Sequence, residues 1–282
     1  MSCTKWRLLL TPPAHGAWNM AVDEAILLEV GQGKSLPTLR LYAWEPPCLS
    51  LGYAQPLSDV DLERVLARGW EVVRRPTGGR AVLHTDELTY SVIAPVKEPR
   101  VAGTLLESYQ RLAGALVEAL RLFVPGGKRR GLVLPVEVQE KVLVPATQNT
   151  NPVCFEIPSA FEITVDGKKL IGSAQARRKE GVLQHGSLPL HGDLSRISQV
   201  LVYPDEAART RAAVRLLERA TTVETALGRM VNWEEAAQAF STAFRTVFNL
   251  DLEPGDLSRA EKIRADDLVI RKYSHPEKPH RE

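Results

Sequence analysis

The sequence predicts an α/β protein. Its 282 residues suit one large α/β domain or two modest ones. Short apolar runs of strand character are interspersed with segments of helical period, and the tail past residue 190 reads as mostly helical. Hydrophobic residues make up 44% and charged residues 25%, ordinary values for a globular chain that buries its own core without disulfide or metal staples.

The elements follow in order. Trp6 to Leu10 reads as a short buried strand, broken by Pro12, Pro13 and Gly16. Asn19 to Val30 has helical apolar spacing through Met20, Ala21, Ala25, Ile26 and Leu28, with Asp23 and Glu24 in its first half. Thr38 to Trp44 alternates like a strand, Pro46 and Pro47 stop it, and Cys48 to Tyr53 resumes. Asp59 to Arg68 is expected as a short helix. Glu71 to Arg75, Ala81 to His84 and Glu87 to Ala94 are expected as strands around the loop Pro76-Thr77-Gly78-Gly79 and a turn at Thr85-Asp86. Leu105 to Phe123 is the clearest amphipathic helix. Residues 145–153 read as an irregular loop. Ser159 to Val165, Lys169 to Ala176 and Val182 to Pro189 are expected strands, the first two joined by a two-residue turn at Asp166-Gly167. Trp233 to Phe248 and Ser258 to Leu268 are expected helices. No linker marks a firm domain boundary: residues 1–282 are expected as one domain, a strand-rich core over 1–190 with a helical portion over 191–282.

Bulk properties exclude several classes. A formal net charge of +2 argues against a dedicated nucleic-acid binder. Three cysteines without paired spacing argue against a secreted disulfide framework. The N-terminal apolar run is too short for a signal peptide, and no stretch approaches the roughly 20 apolar residues of a membrane helix. A cytoplasmic chain with reduced thiols is expected, and a free cysteine there can act as a nucleophile.

Four stretches carry chemistry. In RRPTGGRAVLH (residues 74–84), Gly78 and Gly79 let backbone N–H groups approach a ligand, with Arg74, Arg75 and Arg80 around the turn. The spacing is neither a P-loop nor a dinucleotide fingerprint, and a plain hairpin with solvated arginines fits it equally. Cys154, in NPVCFEIPS, follows a polar loop. A thiol attacks as thiolate, and a free pKa of ~8.5 leaves few per cent ionised unless a cation is near. By itself Cys154 also fits a buried small hydrophobe. In GKKLIGSAQARR (167–178), Lys169 opens a strand whose Gly172, Ser173 and Ala174 leave room for a ligand, although Lys168 and Lys169 also fit a solvated hairpin. In LQHGSLPL (183–190), His185 and Gly186 interrupt an apolar strand, as at a bulge or a close ligand approach. His84 and His185 fit bases, donors or satisfied core histidines. Histidines and cysteines lack metal-ligand spacing, so no metal site is expected.

Taken together, in this order and with NMAVDEA (19–25), PPCLSLGYAQ (46–55) and Arg271-Lys272-Tyr273, these stretches resemble the biotin/lipoate protein ligase and acyltransferase superfamily, and within it octanoyltransferases of the LipM type. The resemblance covers most of the chain. It implies a mixed, mostly antiparallel sheet flanked by helices, and an acyl tunnel lined by the Gly-Gly loop and the Gly-Ser-Ala strand. It assigns the central lysine of the superfamily to Lys169 rather than Lys168, and a thioester-forming nucleophile to Cys154.

The reaction so implied moves octanoyl from acyl carrier protein to the lysine of a lipoyl domain, such as the glycine-cleavage H protein, in lipoate biosynthesis. It needs neither ATP nor metal. Arg74, Gly78, Gly79, Arg80, His84, Gly172, Ser173, Ala174, His185 and Gly186 are the expected substrate contacts. Lys128, Arg129, Arg130, Arg177, Arg178 and Lys179 are candidate docking charges for acidic partners, or ordinary surface. Three other readings stay open: an amidotransferase drawing on octanoylated H protein, an ATP-dependent lipoate ligase without a cysteine nucleophile, and a non-catalytic acyl-binding protein.

Overall fold

The computed structural model describes residues 3–124, 136–140 and 161–277. Cys154 and the basic residues Lys128, Arg129 and Arg130 lie outside the described residues.

The chain runs β1 (Thr4–Leu10), α1 (Gly16–Gly31), β2 (Thr38–Tyr42), β3 (Cys48–Leu51), α2 (Leu62–Leu66), β4 (Glu71–Arg74), β5 (Val82–His84), β6 (Glu87–Ala94) and α3 (Leu105–Leu122). It continues with β7 (Val136–Glu140), β8 (Phe161–Val165), β9 (Lys168–Arg178), β10 (Gly181–Pro189), α4 (Glu206–Arg219), α5 (Val223–Leu227), α6 (Trp233–Phe248), β11 (Leu250–Pro254) and α7 (Arg259–Leu268). An eight-stranded sheet has the order β11-β1-β2-β6-β10-β9-β8-β7, and a three-stranded sheet the order β4-β3-β5. In the large sheet only β1 pairs in parallel, with β11 and β2; the other ladders are antiparallel. The expected mixed, mostly antiparallel sheet flanked by helices is the architecture observed.

Local chemistry explains the main elements. Asp166 (φ 51°) and Gly167 (φ 73°) both sit in the left-handed region, as a tight hairpin between twisted strands requires, so β8 folds directly onto β9. Thr104 and Glu107 form a reciprocal capping box at the start of α3, whose Leu112, Leu116 and Leu120 bury against the sheet with Phe240 and Phe244 of α6.

The opposite face of the sheet carries α1, against which α7 packs. Because α1 lies between the sheet, the small sheet and α7, it is buried on almost every side, including Asn19, Asp23, Glu24 and Glu29. Each of these polar groups must find a partner indoors.

Three expectations shift. The segment expected as a helix over 59–68 is a 3₁₀ turn at Leu57–Asp59 followed by the single-turn α2, whose start is fixed by Asp61 accepting from the Arg64 amide. The mostly helical tail includes a strand, β11, that extends the large sheet through parallel pairing with β1. Strand β7 adds a further edge beside β8. Among the described residues no helix is long and apolar enough to cross a membrane.

Candidate active site

A cleft of about 410 Å³, part of it open to solvent, lies between the large sheet, the small sheet and α1. Its walls come from alternate strand positions. Ser187 faces Gly172 and His185 faces Ala174 across the β9–β10 ladder, and residues directly opposite in an antiparallel pair share a face. Gly172, Ala174, His185 and Ser187 therefore look into the cleft together. Met20, Tyr42 and Trp44 supply a buried apolar and aromatic wall.

Ser173 and Gly186 also touch the cleft, but their side-chain directions point the other way. Ser173 exchanges a 2.7 Å hydrogen bond with Tyr90, whose hydroxyl also accepts from Gln184. Burial pushes the Tyr90 phenol up to about 12. Gly186 sits under this pair: a Cβ there would stand 2.6 Å from the carbonyl oxygen of Gly172 and 2.6 Å from the Tyr90 ring. Glycine is required because strand, serine and tyrosine already fill the space.

Both histidines are held by two partners. His84 lines the cleft with its Nδ1 2.8 Å from Glu87 and its Nε2 2.7 Å from Ser50, and it stacks on Trp44 with centroids 4.0 Å apart. Burial would raise the Glu87 carboxyl, but His84, Ser187 and Thr89 hold it below the usual range. His185 places Nε2 2.6 Å from the Thr77 hydroxyl and Nδ1 3.5 Å from Asp23. Burial pushes His185 below its ordinary value, against the opposing pull of Asp23. Asp23 accepts from Arg40 at 2.7 Å, Tyr42 at 3.0 Å and Ser91 at 2.6 Å. Burial alone would raise its carboxyl, and Arg40 and His185 hold it down instead.

The glycine loop is organised by Arg75. Its guanidinium donates to the carbonyls of Ser50, Gly78 and Arg80. A trans peptide sets N–H opposite C=O, so holding the Gly78 carbonyl turns the Gly79 amide away from Arg75. Gly79 takes φ 94°, and Gly52 packs so closely that a Cβ on it would stand 1.9 Å from the Gly79 oxygen.

Arg74, expected as a substrate contact, is placed differently from Arg75. It donates to the carbonyls of Gly52, Tyr53, Gln55 and Pro276 and does not line the cleft; Arg75 does. Gly78, Gly79 and Arg80 likewise shape the loop beside the cleft rather than its lining.

Lys169 is 2% exposed, with its Nζ 3.1 Å from Glu162. Its direction depends on an irregularity. Ile163 faces Ile171, yet Thr164 faces Lys169, so β9 carries one extra residue there. Ile163 and Ile171 belong to the core under α3 and α6. The extra residue turns Lys169 onto the opposite face, the one shared with Gly172 and Ala174. Lys168 instead extends outward to the Leu217 carbonyl at 2.8 Å.

Among the described residues, Cys3 is exposed and Cys48 is buried, where burial pushes its thiol well up. Neither adjoins Lys169 and Glu162 in the way a thiolate site needs. No group of three or more potential metal ligands comes together among the described residues.

The family described as the lipoyl protein ligase A/B catalytic domain matches residues 15–245. The chain belongs to that family. An octanoyltransferase LipM from Moorella thermoacetica is 44% identical over 269 residues, covering 95% of each chain. One from Kyrpidia tusciae is 40% identical, covering 94% of this chain and 95% of its own. Among solved structures, a bi-partite lipoate protein ligase from Thermoplasma acidophilum, described with its E2 lipoyl domain, superposes with TM-score 0.76 at 26% identity, covering 96% of this chain and 94% of its own. A lipoate-protein ligase A bound with ATP gives TM-score 0.75 at 26% identity, covering 96% of both chains.

Within this lipoyl protein ligase A/B frame, Asp23, Thr77, Glu87 and Glu162 are the site-associated residues that sequence reasoning passed over, and Arg75 was placed at the turn but not among the expected contacts. The signal for Asp23 was present: a carboxylate flanked by apolar residues in a helix apolar on several faces. Of the candidate docking charges, Arg177 donates to the carbonyls of Val101 and Gly103, and Arg178 pairs with Glu24 at 3.2 Å. Both are committed internally, while Lys179 stays on the surface beside Glu180.

Proposed function

We propose that this octanoyltransferase of protein lipoylation takes octanoyl from acyl carrier protein onto Cys154 as a thioester, then passes it to the lysine of a lipoyl domain such as the glycine-cleavage H protein. The observation that carries the reading is the cleft itself: a glycine-lined, aromatic-walled slot with a buried Lys169–Glu162 pair on the same strand face, in a chain 44% identical to an octanoyltransferase.

Each residue then has a task. The apolar and aromatic wall of Met20, Tyr42 and Trp44 holds the acyl chain by burial, worth about 0.8 kcal/mol per methylene. Lys169, as the ammonium, stabilises the Cys154 thiolate, and each pKa unit of that effect corresponds to about 1.4 kcal/mol. The thiolate attacks the donor thioester, the donor's thiol leaves, and backbone N–H groups near the reacting carbon stabilise the oxyanion. Gly172, on the cleft-facing side of β9, keeps the cleft open. Forming an amide from a thioester runs downhill, so no ATP or metal enters.

Mass spectrometry after mixing with octanoyl-acyl carrier protein tests this. An octanoyl mass on Cys154, removed by hydroxylamine, is expected; its absence during turnover refutes the thioester. Octanoylated H protein in place of the carrier separates the amidotransferase reading. The likeness to an ATP-bound ligase favours one further reading, an ATP-dependent ligase. Full activity of Cys154→Ser with free octanoate and ATP would establish it.

A further inference from the structure

A second cleft, of about 450 Å³ with part of it open to solvent, adjoins the first. It lies between the starts of β6, the end of β10, the 3₁₀ segment Leu194–Val200 and α4. We propose that it receives the acceptor lysine and delivers its amine to the acyl group. This rests on the acyl-enzyme reading above.

Continuity is the first argument. Ser187 lines both clefts. Its hydroxyl donates to Oε2 of Glu87, which lines the second cleft, while Oε1 of Glu87 meets Nδ1 of His84, which lines the first. The partition is thus two side chains thick and polar throughout. Helix α4, which contributes Leu216 to the second cleft, leads on toward Lys169. Just beyond α4 the Thr221 amide donates to the Lys169 carbonyl at 3.0 Å.

The chemistry of the walls is the second argument. Leu194, Ile197 and Leu216 make an apolar middle. Carboxylates stand at both ends: Glu87 within, Asp86 and Asp193 at the rim. Against these three stand Arg196, paired with Asp86, and His84, paired with Glu87, while His191 also lines the slot. The resulting slot has apolar walls for four methylenes and negative charge for an ammonium, the two halves of a lysine side chain. The neutral thiol arm of an acyl donor gains nothing from those carboxylates. The rim is built closely. Gly192 takes φ 85°, and a Cβ there would stand 2.5 Å from Asp86 Oδ2.

In the step so assigned, the lysine ammonium first releases one proton. Its nitrogen attacks the thioester carbonyl and the C–N bond forms. The C–S bond breaks and the second amine proton passes to the departing thiolate. The products are an amide, a free thiol and the released proton.

The test separates the two half-reactions. Leu194→Trp fills the apolar middle, and Asp193→Lys reverses charge at the rim. For each variant, three rates are measured: acyl-enzyme formation from octanoyl-acyl carrier protein, transfer from the acyl-enzyme to an apo lipoyl domain, and cleavage by hydroxylamine. Transfer to the lipoyl domain is expected to fall about tenfold or more, in line with lost electrostatic and steric complementarity. Loading and hydroxylamine cleavage should stay within about twofold of the parent. Normal transfer in both variants overturns the proposal, as does loading slowed as much as transfer, which would place the donor's arm in the cleft. If the parent forms no acyl-enzyme, the thioester reading fails instead. The variants are then read on KM for the lipoyl domain, and an unchanged KM overturns the acceptor cleft on its own.

Discussion

Replacing Gly186 with alanine tests the packing behind the cleft wall. The new Cβ would stand 2.6 Å from the Gly172 carbonyl oxygen, 2.6 Å from Tyr90 Cε1 and 2.8 Å from Ser173 Oγ. The first is backbone in the neighbouring strand and has no rotamer to escape into. Tyr90 is wholly buried and tied to Ser173 and Gln184. Relief requires moving β9, which carries Gly172 and Ala174 of the cleft wall, by several tenths of an ångström. Overpacking of this kind costs about 1–3 kcal/mol. At roughly 2–4 °C per kcal/mol for a chain of this size, Tm should fall by about 2–12 °C. Octanoyl transfer should fall with it, mainly through the displaced cleft wall. Gly78→Ala is the control. A Cβ there meets nothing within 4 Å, and Gly78 has no positive φ. Its stability should stay within about 0.5 kcal/mol of the parent. Differential scanning calorimetry on both variants decides. Equal melting of Gly186→Ala and parent, or an equal fall in Gly78→Ala, refutes the steric account.

Lys169→Met should abolish transfer and cost about 3–5 kcal/mol, because it strips the cation from buried Glu162; Lys168→Met should leave turnover and Tm near those of the parent, as steady-state rates and melting would show. His185 titrates below its ordinary 6.5 and Asp23 and Glu87 below their ordinary 3.8 and 4.5, so the folded state binds fewer protons than the unfolded one. Stability is then full above about pH 6.5 and falls as pH drops, first through His185 and then through the carboxylates. Thermal melts from pH 8 to 4 should show that fall, and His185→Asn should remove its upper part. A chain ending at Gly255 removes Lys272 and Tyr273 from Glu24, Arg264 from Glu29 and Glu261 from Arg7. It should lose cooperative unfolding by near-ultraviolet circular dichroism.

Much of this fold was legible because its period is carried locally. Leu112, Leu116 and Leu120 announce α3, and Asp166-Gly167 announces the β8–β9 hairpin. Strand β11 was not legible: Leu250–Pro254 is five residues ending in proline, and it becomes a strand only by pairing with β1 across the length of the chain. Helix α4 buries only Ala212 and Leu216, too thin a stripe to stand out. In the site, the glycines and histidines were visible as residue types that interrupt strands. Which of two adjacent residues mattered was not. Arg74 and Arg75 differ only in strand face, and the direction of Lys169 depends on one extra residue in β9 that period-two counting misses. The partnership of Asp23 with Arg40, Tyr42, Ser91 and His185 joins four segments, so no window of sequence contains it.

The buried carboxylates of α1 have a consequence for the order in which the protein is made. Glu24 meets Arg178 at 3.2 Å and Lys272 at 2.8 Å, and Glu29 meets Arg264 at 2.8 Å. Helix α1 therefore receives two of these neutralising partners from residues made 235 and 248 positions later. Until the segment around Lys272 has been synthesised, α1 holds acidic groups that have no reason to leave water. Vectorial synthesis thus holds the acyl cleft, which α1 walls, incomplete until the segment around Lys272 has been made.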